Sequence, residues 1–141
     1  MRTVRDAEGR HYLMLKESDV SSLVRDPATG ERRHIPNDDI ETVDGESPLE
    51  TVASAVPETV RRVLTATHDE RSLGLLLEID DRGPVGVRTL LSAYDLCESD
   101  LHGLLAEFRA AGLIDEAETG GQRGYVTTDE ASDGLDTLCP E

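Results

Sequence analysis

The segment from residue 98 to residue 127 constrains the fold of this chain more than any other. It starts with apolar residues at helical spacing, which indicate one buried helix face: Leu101, Leu104, Leu105 and Phe108. Gly112 ends this helix, since glycine accepts the left-handed conformation common at a helix C-terminus. Two short β-prone runs then flank Gly120 and Gly121, the pattern of a tight hairpin. The segment therefore predicts a helix at 98–111 and a hairpin whose tip spans 118–125.

Further helices surround this segment. Asp69 caps a helix that runs to about residue 81, where Arg82-Gly83-Pro84 breaks it. A short extended piece leads into a second helix that ends at Tyr94, and Cys97 in the following turn is expected to be buried. This order of two helices joined by a short turn predicts a helix-turn-helix, and a last short helix is expected after the hairpin.

The first 46 residues predict a different architecture. Their β-prone runs alternate with turn signals such as residues 26–30, where proline fixes φ and glycine accepts positive φ. A small β-meander of three to five strands is expected, with a thin core. The expected core residues are Val4, Tyr12, Met14, Leu23, Val24, Ile35, Ile40 and Val43. The predicted class is α+β, with a β-meander domain at 1–46, a linker and helical segment at 47–68, and a domain at 69–141.

The C-terminal segment resembles a known class of DNA-binding protein. Residues 104–114 (LLAEFRAAGLI) and 124–129 (GYVTTD) are similar to motifs of the winged-helix regulators of the PadR, MarR and ArsR type. Those families combine a leucine-rich recognition helix, a Gly-Leu-Ile end, a wing with Gly-Arg and a Tyr-x-x-Thr motif. The resemblance covers about 70 of the 141 residues. It implies a winged helix-turn-helix domain at 69–141 in a transcriptional regulator that binds double-stranded DNA.

The resemblance also implies which residues face DNA, with the third helix in the major groove and the wing on the backbone or minor groove. The expected DNA-contacting residues are Arg88 at the start of the second helix, Ser99 and His102 on the third helix, and Gln122 and Arg123 on the wing. The third helix departs from the family's pattern, because Glu98 and Asp100 stand where Arg, Lys, Asn or Gln usually contact bases. A winged-helix module for protein interaction or dimerisation, without direct DNA binding, is therefore the alternative.

Acidic residues outnumber basic ones by 30 to 14, and Lys16 is the single lysine beside thirteen arginines. A net charge of −16 repels nucleic acid in dilute buffer. The Asp-rich, Lys-poor composition resembles that of haloarchaeal cytosolic proteins, which work in multimolar salt, where screening acts within about 3 Å. Counterion release adds little to DNA affinity under those conditions, so the lack of a broad basic patch is a weaker argument against DNA binding. A mesophilic acidic interaction protein is the other interpretation of this composition.

The motifs of enzymes and metal sites are missing from the sequence. Paired carboxylates at 38–39 and 80–81 lack an accompanying nucleophile, oxyanion donor or phosphate loop, so the chain is expected not to be an enzyme. Cys97, Cys139 and four scattered histidines have no ligand spacing, so no metal or other cofactor is expected. Arg32-Arg33 beside His34 suits either a phosphate or the acids of a partner.

Assembly and location are predicted from apolar content. No apolar run approaches the ~20 residues of a membrane span, and residues 1–5 have no signal-peptide core, so a cytoplasmic protein without membrane contact is expected. The apolar helices predicted at 49–56 and 57–67 exceed the needs of a minimal winged helix. We therefore expect a homodimer that uses them.

Overall fold

Two units divide the chain, Met1–Pro57 and Glu58–Glu141. The computed structural model describes residues 1–140 and contains, over that range, six α-helices and two antiparallel sheets. The α+β class is confirmed, and the strands come first along the chain. The segment 47–68, expected as a linker and helical region, is divided between the two units. Its first helix belongs to the first unit, and its second helix belongs to the second unit.

The element bounds follow the predicted periodicities. The first unit contains β1 (Arg2–Asp6), β2 (His11–Glu17), β3 (Ser21–Arg25), β4 (Arg32–Pro36), a 3₁₀ turn (Asn37–Asp39), β5 (Ile40–Thr42) and α1 (Pro48–Ala53). The second unit contains α2 (Glu58–Ala66), α3 (Glu70–Arg82), β6 (Val85–Gly86), α4 (Val87–Ala93), α5 (Glu98–Ala110), β7 (Ile114–Thr119), β8 (Gln122–Thr127) and α6 (Asp129–Leu138).

The sheet of the first unit has the strand order β4-β3-β2-β1-β5. Four strands therefore form a meander, and β5 returns to the edge beside β1. Asn37 anchors this return, because its side-chain amide donates to the Ser18 carbonyl at 2.7 Å and its Oδ1 accepts from the Ser22 hydroxyl at 2.6 Å. The 3₁₀ turn is thus tied to the β2–β3 end of the meander before the chain reaches β5.

Both faces of this sheet bury apolar side chains. One face holds the cluster of Val4, Tyr12, Met14, Val24 and Ile35, with Ile40 partly buried against it. Leu13 is fully buried on the other face, where α1 packs on β1 and β2 and the hydroxyls of Thr3 and Thr51 lie 2.5 Å apart. The predicted core missed Leu13 because it assumed one buried face. Leu23 and Val43, which it included, are only half-buried.

The core of the second unit lies among its helices and hairpin. Its fully buried side chains include Leu76, Ile79, Leu90, Leu101, Leu105, Phe108, Leu113 and Leu135. Helices α2 and α6 pack closely because Gly134 has no side chain: a Cβ there would lie 2.5 Å from the carbonyl oxygen of Thr59. Thr128 joins α6 to the end of α5, since its Oγ1 accepts from the N–H of Ala131 at 3.2 Å and donates to the Gly112 carbonyl at 2.8 Å.

The smaller sheet positions the hairpin of the second unit. Its strand order is β6-β8-β7, so the two-residue strand β6 pairs with the second strand of the hairpin. The close pairing depends on Gly124, where a Cβ would lie 2.5 Å from the carbonyl oxygen of Val85. The hairpin is thereby held beside β6, directly before the start of α4.

Candidate nucleic-acid interface

The exposed side of α5 is the first part of the expected interface. The helix is capped by Cys97, whose Sγ accepts a hydrogen bond from the N–H of Asp100 at 3.4 Å. Cys97 is exposed, so the expectation that it is buried is wrong; its sulfur serves the helix terminus instead of the core. Ser99 and His102 also lie on the exposed side of α5, because Leu101, Leu105 and Phe108 occupy the buried side.

The tip of the β7–β8 hairpin forms the second part. Gly120 and Gly121 link the paired residues Thr119 and Gln122, and both glycines have positive φ, at 58° and 77°. Two consecutive left-handed residues define the tight turn that suits the twist of antiparallel strands. Arg123 follows directly on β8 and is exposed.

Gln122 supports the protein's own structure. Its side chain is half-buried, and its Oε1 accepts a hydrogen bond from the backbone N–H of Arg88 at 3.0 Å. The carboxamide occupies the space left by Gly86, where a Cβ would lie 2.2 Å from the Cδ of Gln122. Gln122 therefore joins the hairpin to the start of α4, and its carboxamide oxygen is already engaged there.

Three arginines of the second unit have free guanidinium groups. Within residues 1–140, the side chains of Arg71, Arg88 and Arg123 form no ion pair and no hydrogen bond, and all three are exposed. The other arginines of this unit are engaged; Arg109, for example, pairs with Glu116 at 3.1 Å. The free cations include both arginines that the sequence assigned to DNA contact.

Arg71 is the candidate that the sequence prediction missed. It lines a shallow groove of about 360 Å³ between the start of α3 and the first half of α5. The groove is lined by His68, Asp69, Arg71, Ser99, Asp100, Gly103, Leu104 and Glu107. The available signal was its place in the first turn of α3, beside an N-terminal cap, but only the fold brings that turn next to α5.

Acidic residues on α5 counter these cations in part. Glu98 lies 3.6 Å from the Nε2 of His102, and Glu107 lies 2.8 Å from the Nε2 of His68. Each of these contacts is an ion pair only when the histidine is protonated. In the part of the chain that the structure describes, the Asp100 carboxylate has no partner, so it is the free negative charge on this helix face.

The same 140 residues contain neither a metal-binding cluster nor a membrane-spanning helix. No group of three or more His, Cys, Asp or Glu side chains is arranged to hold a metal ion. None of the helices has both the length and the apolar character needed to cross a bilayer.

Comparison with known proteins places the chain in one family. Neither the curated proteins nor the solved structures include a significant match. A family model described as a family of unknown function (DUF7346) matches residues 1–139. Since this match spans both the β-rich first unit and the helical second unit, the chain belongs to the DUF7346 family.

Proposed function

We propose that residues 69–138 form a winged helix-turn-helix and that the chain is a DNA-binding transcriptional regulator. The observation that carries the proposal is the order α3, β6, α4, α5, β7, β8, in which β6 pairs with β8. In this interpretation α4 and α5 are the helix-turn-helix, and the β7–β8 hairpin is the wing. The proposal includes no catalytic activity.

The shape of α5 supports its role as the recognition helix. Its 13 residues extend about 20 Å, and B-DNA has a major groove of about 12 Å that admits one helix. Ser99 and His102 lie near its N-terminus, the part that contacts base edges in helix-turn-helix proteins. The exposed residues Gly103 and Ala106 are small, so the helix backbone can approach the bases closely.

The free arginines supply phosphate contacts. Arg88 stands on the first turn of α4 and Arg123 beside the wing tip, and neither has to break an ion pair before it binds DNA. Guanidinium groups bind phosphate oxygens through two parallel hydrogen bonds. Arg71 adds a third cation at the groove beside α5.

A homodimer belongs to the proposal, because helix-turn-helix proteins bind paired half-sites. The inward residues of α2 pack within its own unit, so dimerisation would use outward residues. Leu49 and Val52 on α1 and Leu64 on α2 are exposed apolar side chains that suit this use.

The test is DNA binding by matched arginine variants. A target duplex is first selected from a random library, and affinity is then measured by fluorescence anisotropy over a KCl series. We expect Arg88→Ala and Arg123→Ala each to weaken binding and to reduce the salt slope by about one, the value for a single phosphate contact. Arg62→Ala removes the same charge from an arginine paired with Glu58, and we expect no change in its slope.

The alternative, a protein-interaction module, is favoured by the free carboxylate of Asp100 on α5. In that case no duplex is enriched in the selection, and Arg123→Ala leaves complex formation with the protein partner unchanged. Asp100→Asn would weaken that protein complex, whereas with DNA it would maintain or raise affinity, because it removes a charge that repels phosphates. The two functions therefore predict different effects for the same substitution: weaker binding for a protein partner, and equal or tighter binding for DNA.

A further inference from the structure

A group of cations on the sheet of the first unit is not used by the proposed winged helix. Lys16, Arg25 and Arg32 lie on β2, β3 and β4, and we name them the basic strip. Arg25 is the direct cross-strand partner of Arg32. Lys16 is opposite Leu23, which is two residues before Arg25 and therefore on the same face of the sheet.

These three are the free cations of their unit. The other four basic side chains of the first unit are each paired with a carboxylate, and the last of them also lies over the ring of Tyr12: Arg2, Arg5, Arg10 and Arg33. In residues 1–140 the side chains of the basic strip form no ion pair or hydrogen bond. Lys16 and Arg32 are exposed, and Arg25 is half-buried.

Two of the carboxylates near the strip are paired with arginines outside it. Glu17, the chain neighbour of Lys16, faces the other side of the sheet and pairs with Arg2 at 2.8 Å. Glu41 shares the face of the basic strip, but it lies on β5 at the far edge and pairs with Arg5 at 2.5 Å. Asp26 and Glu31 are the chain neighbours of Arg25 and Arg32, and within residues 1–140 they form no ion pair with them, so no carboxylate is paired with the strip.

Such an arrangement is unfavourable for the isolated sheet. Like charges directly opposite each other on neighbouring strands destabilise the pairing, and the Arg25–Arg32 pair has no carboxylate between its members. The repulsion is relieved when an anion binds across the pair. The strip shares the face on which α1 packs against β1 and β2, but β4 is an edge strand, so an extended partner can approach the strip from that edge.

We propose that the basic strip binds the phosphate backbone of DNA, an inference that extends the proposed function to the first unit. Directly opposed residues have Cβ atoms about 5 Å apart and diagonal ones about 7–8 Å apart, so successive phosphates of one strand can each meet a cation. Arginine and lysine are the residues that bind phosphate in this way. Contacts of this kind carry no sequence information, but they add affinity and fix the orientation of the protein on the duplex. They are strengthened by the covalent connection to a second DNA-binding unit, which raises the effective concentration of the strip near DNA.

The test compares two triple variants of the full chain that carry the same change of net charge. K16Q/R25Q/R32Q removes the basic strip, and R2Q/R5Q/R10Q removes three paired arginines of the same unit. Binding to a fluorescein-labelled duplex is followed by anisotropy over a KCl series, with circular dichroism to verify the fold. We expect the strip variant to lower the salt slope by about 0.9 per lost phosphate contact, up to roughly 2.7, and the control to lower it by less than one.

The outcomes separate this inference from the winged-helix proposal. An unchanged slope in the strip variant, with reduced slopes for Arg88→Ala and Arg123→Ala, overturns the basic strip alone. A reduced slope in the strip variant, with no effect of the two single variants, supports the strip and overturns the winged-helix contacts. Binding of poly-glutamate as tightly as of the duplex at equal salt overturns the assignment to nucleic acid. If the triple variant does not fold, the exposed-edge variant Arg32→Gln is used, with an expected decrease of about 0.9.

Discussion

Individual polar residues join α1 to the sheet of the first unit. Glu46 accepts a hydrogen bond from the Thr51 hydroxyl and lies 3.1 Å from the Nδ1 of His11, and Thr51 also contacts the hydroxyl of Thr3. The hydrogen bond from Thr51 holds the pKa of Glu46 below its usual value; desolvation opposes this effect, and His11 adds to it. The ionised form of Glu46 is therefore favoured by folding.

At the scale of single residues, we predict that Glu46→Gln makes the first unit less stable at neutral pH. At low pH the same substitution should change its stability very little. A carboxyl group with a lowered folded-state pKa stabilises the fold above its unfolded pKa, near 4.5, and loses this contribution as the pH falls through the folded value. We expect a loss of about 1 kcal/mol in unfolding free energy at pH 7 and a smaller loss at pH 3.5, measured by urea denaturation at fixed salt. Glu50→Gln, at an exposed position of α1, is the control; an equal loss at both pH values for Glu46→Gln would contradict the mechanism.

At the scale of elements, glycines set how closely neighbouring segments approach. The contact of α2 with α6 depends on Gly134, and the pairing of β6 with β8 depends on Gly124. Gly103, in contrast, lies in α5 with open space around the position of a Cβ. Glycine is therefore required for close packing in α6, whereas in α5 it only lowers the stability of the helix.

The corresponding prediction concerns two helical Gly→Ala substitutions. Gly134→Ala should destabilise the second unit by about 1–3 kcal/mol, because its Cβ meets the backbone of Thr59, which cannot rotate away. Gly103→Ala should stabilise it by about 0.5–1 kcal/mol, because alanine has the higher helix propensity and meets no neighbour. Thermal and urea unfolding measure both; destabilisation of similar size in the two variants would show that the α2–α6 contact is not as close as described.

For the molecule as a whole, charge is distributed unevenly between the units. Residues 1–57 contain 12 acidic and 7 basic side chains, a net charge of −5, whereas residues 58–141 contain 18 and 7, a net charge of −11. The unit proposed to bind DNA with its winged helix is therefore the more acidic one. We therefore expect salt to stabilise the protein mainly by screening the repulsion among the carboxylates of the second unit.

The whole-molecule prediction is a strong dependence of stability on salt. We expect the melting temperature to rise, and helical circular dichroism to be retained better, as KCl increases from millimolar to molar concentrations, because screening weakens repulsion among the carboxylates. Sucrose at matched water activity is the control for solute exclusion, which also stabilises folded proteins. A melting temperature that is constant over the KCl range would contradict the interpretation of the chain as adapted to concentrated salt.

The order and type of the elements were predictable from local patterns. The strands of the first unit, expected to number three to five and found to be five, follow from periodicity and from glycine and proline positions, which act within a few residues. The same holds for the helices of the second unit and the turn at Gly120 and Gly121. The candidate arginines Arg88 and Arg123 were also predictable, because they stand at a helix start and a hairpin tip. Local conformation depends mainly on local sequence in these segments.

Burial and pairing were decided only when distant segments came together. Leu13 is buried because α1 covers the face of the sheet that simple alternation would expose to solvent. Gln122 is engaged because β8 lies beside the start of α4, and Arg71 lines a groove with residues of α5 because α3 begins next to that helix. The basic strip exists because antiparallel register sets Arg25 opposite Arg32, seven positions away in the chain. Hydrogen bonding, desolvation and charge repulsion act between neighbours in space, so these properties depend on which elements pack together.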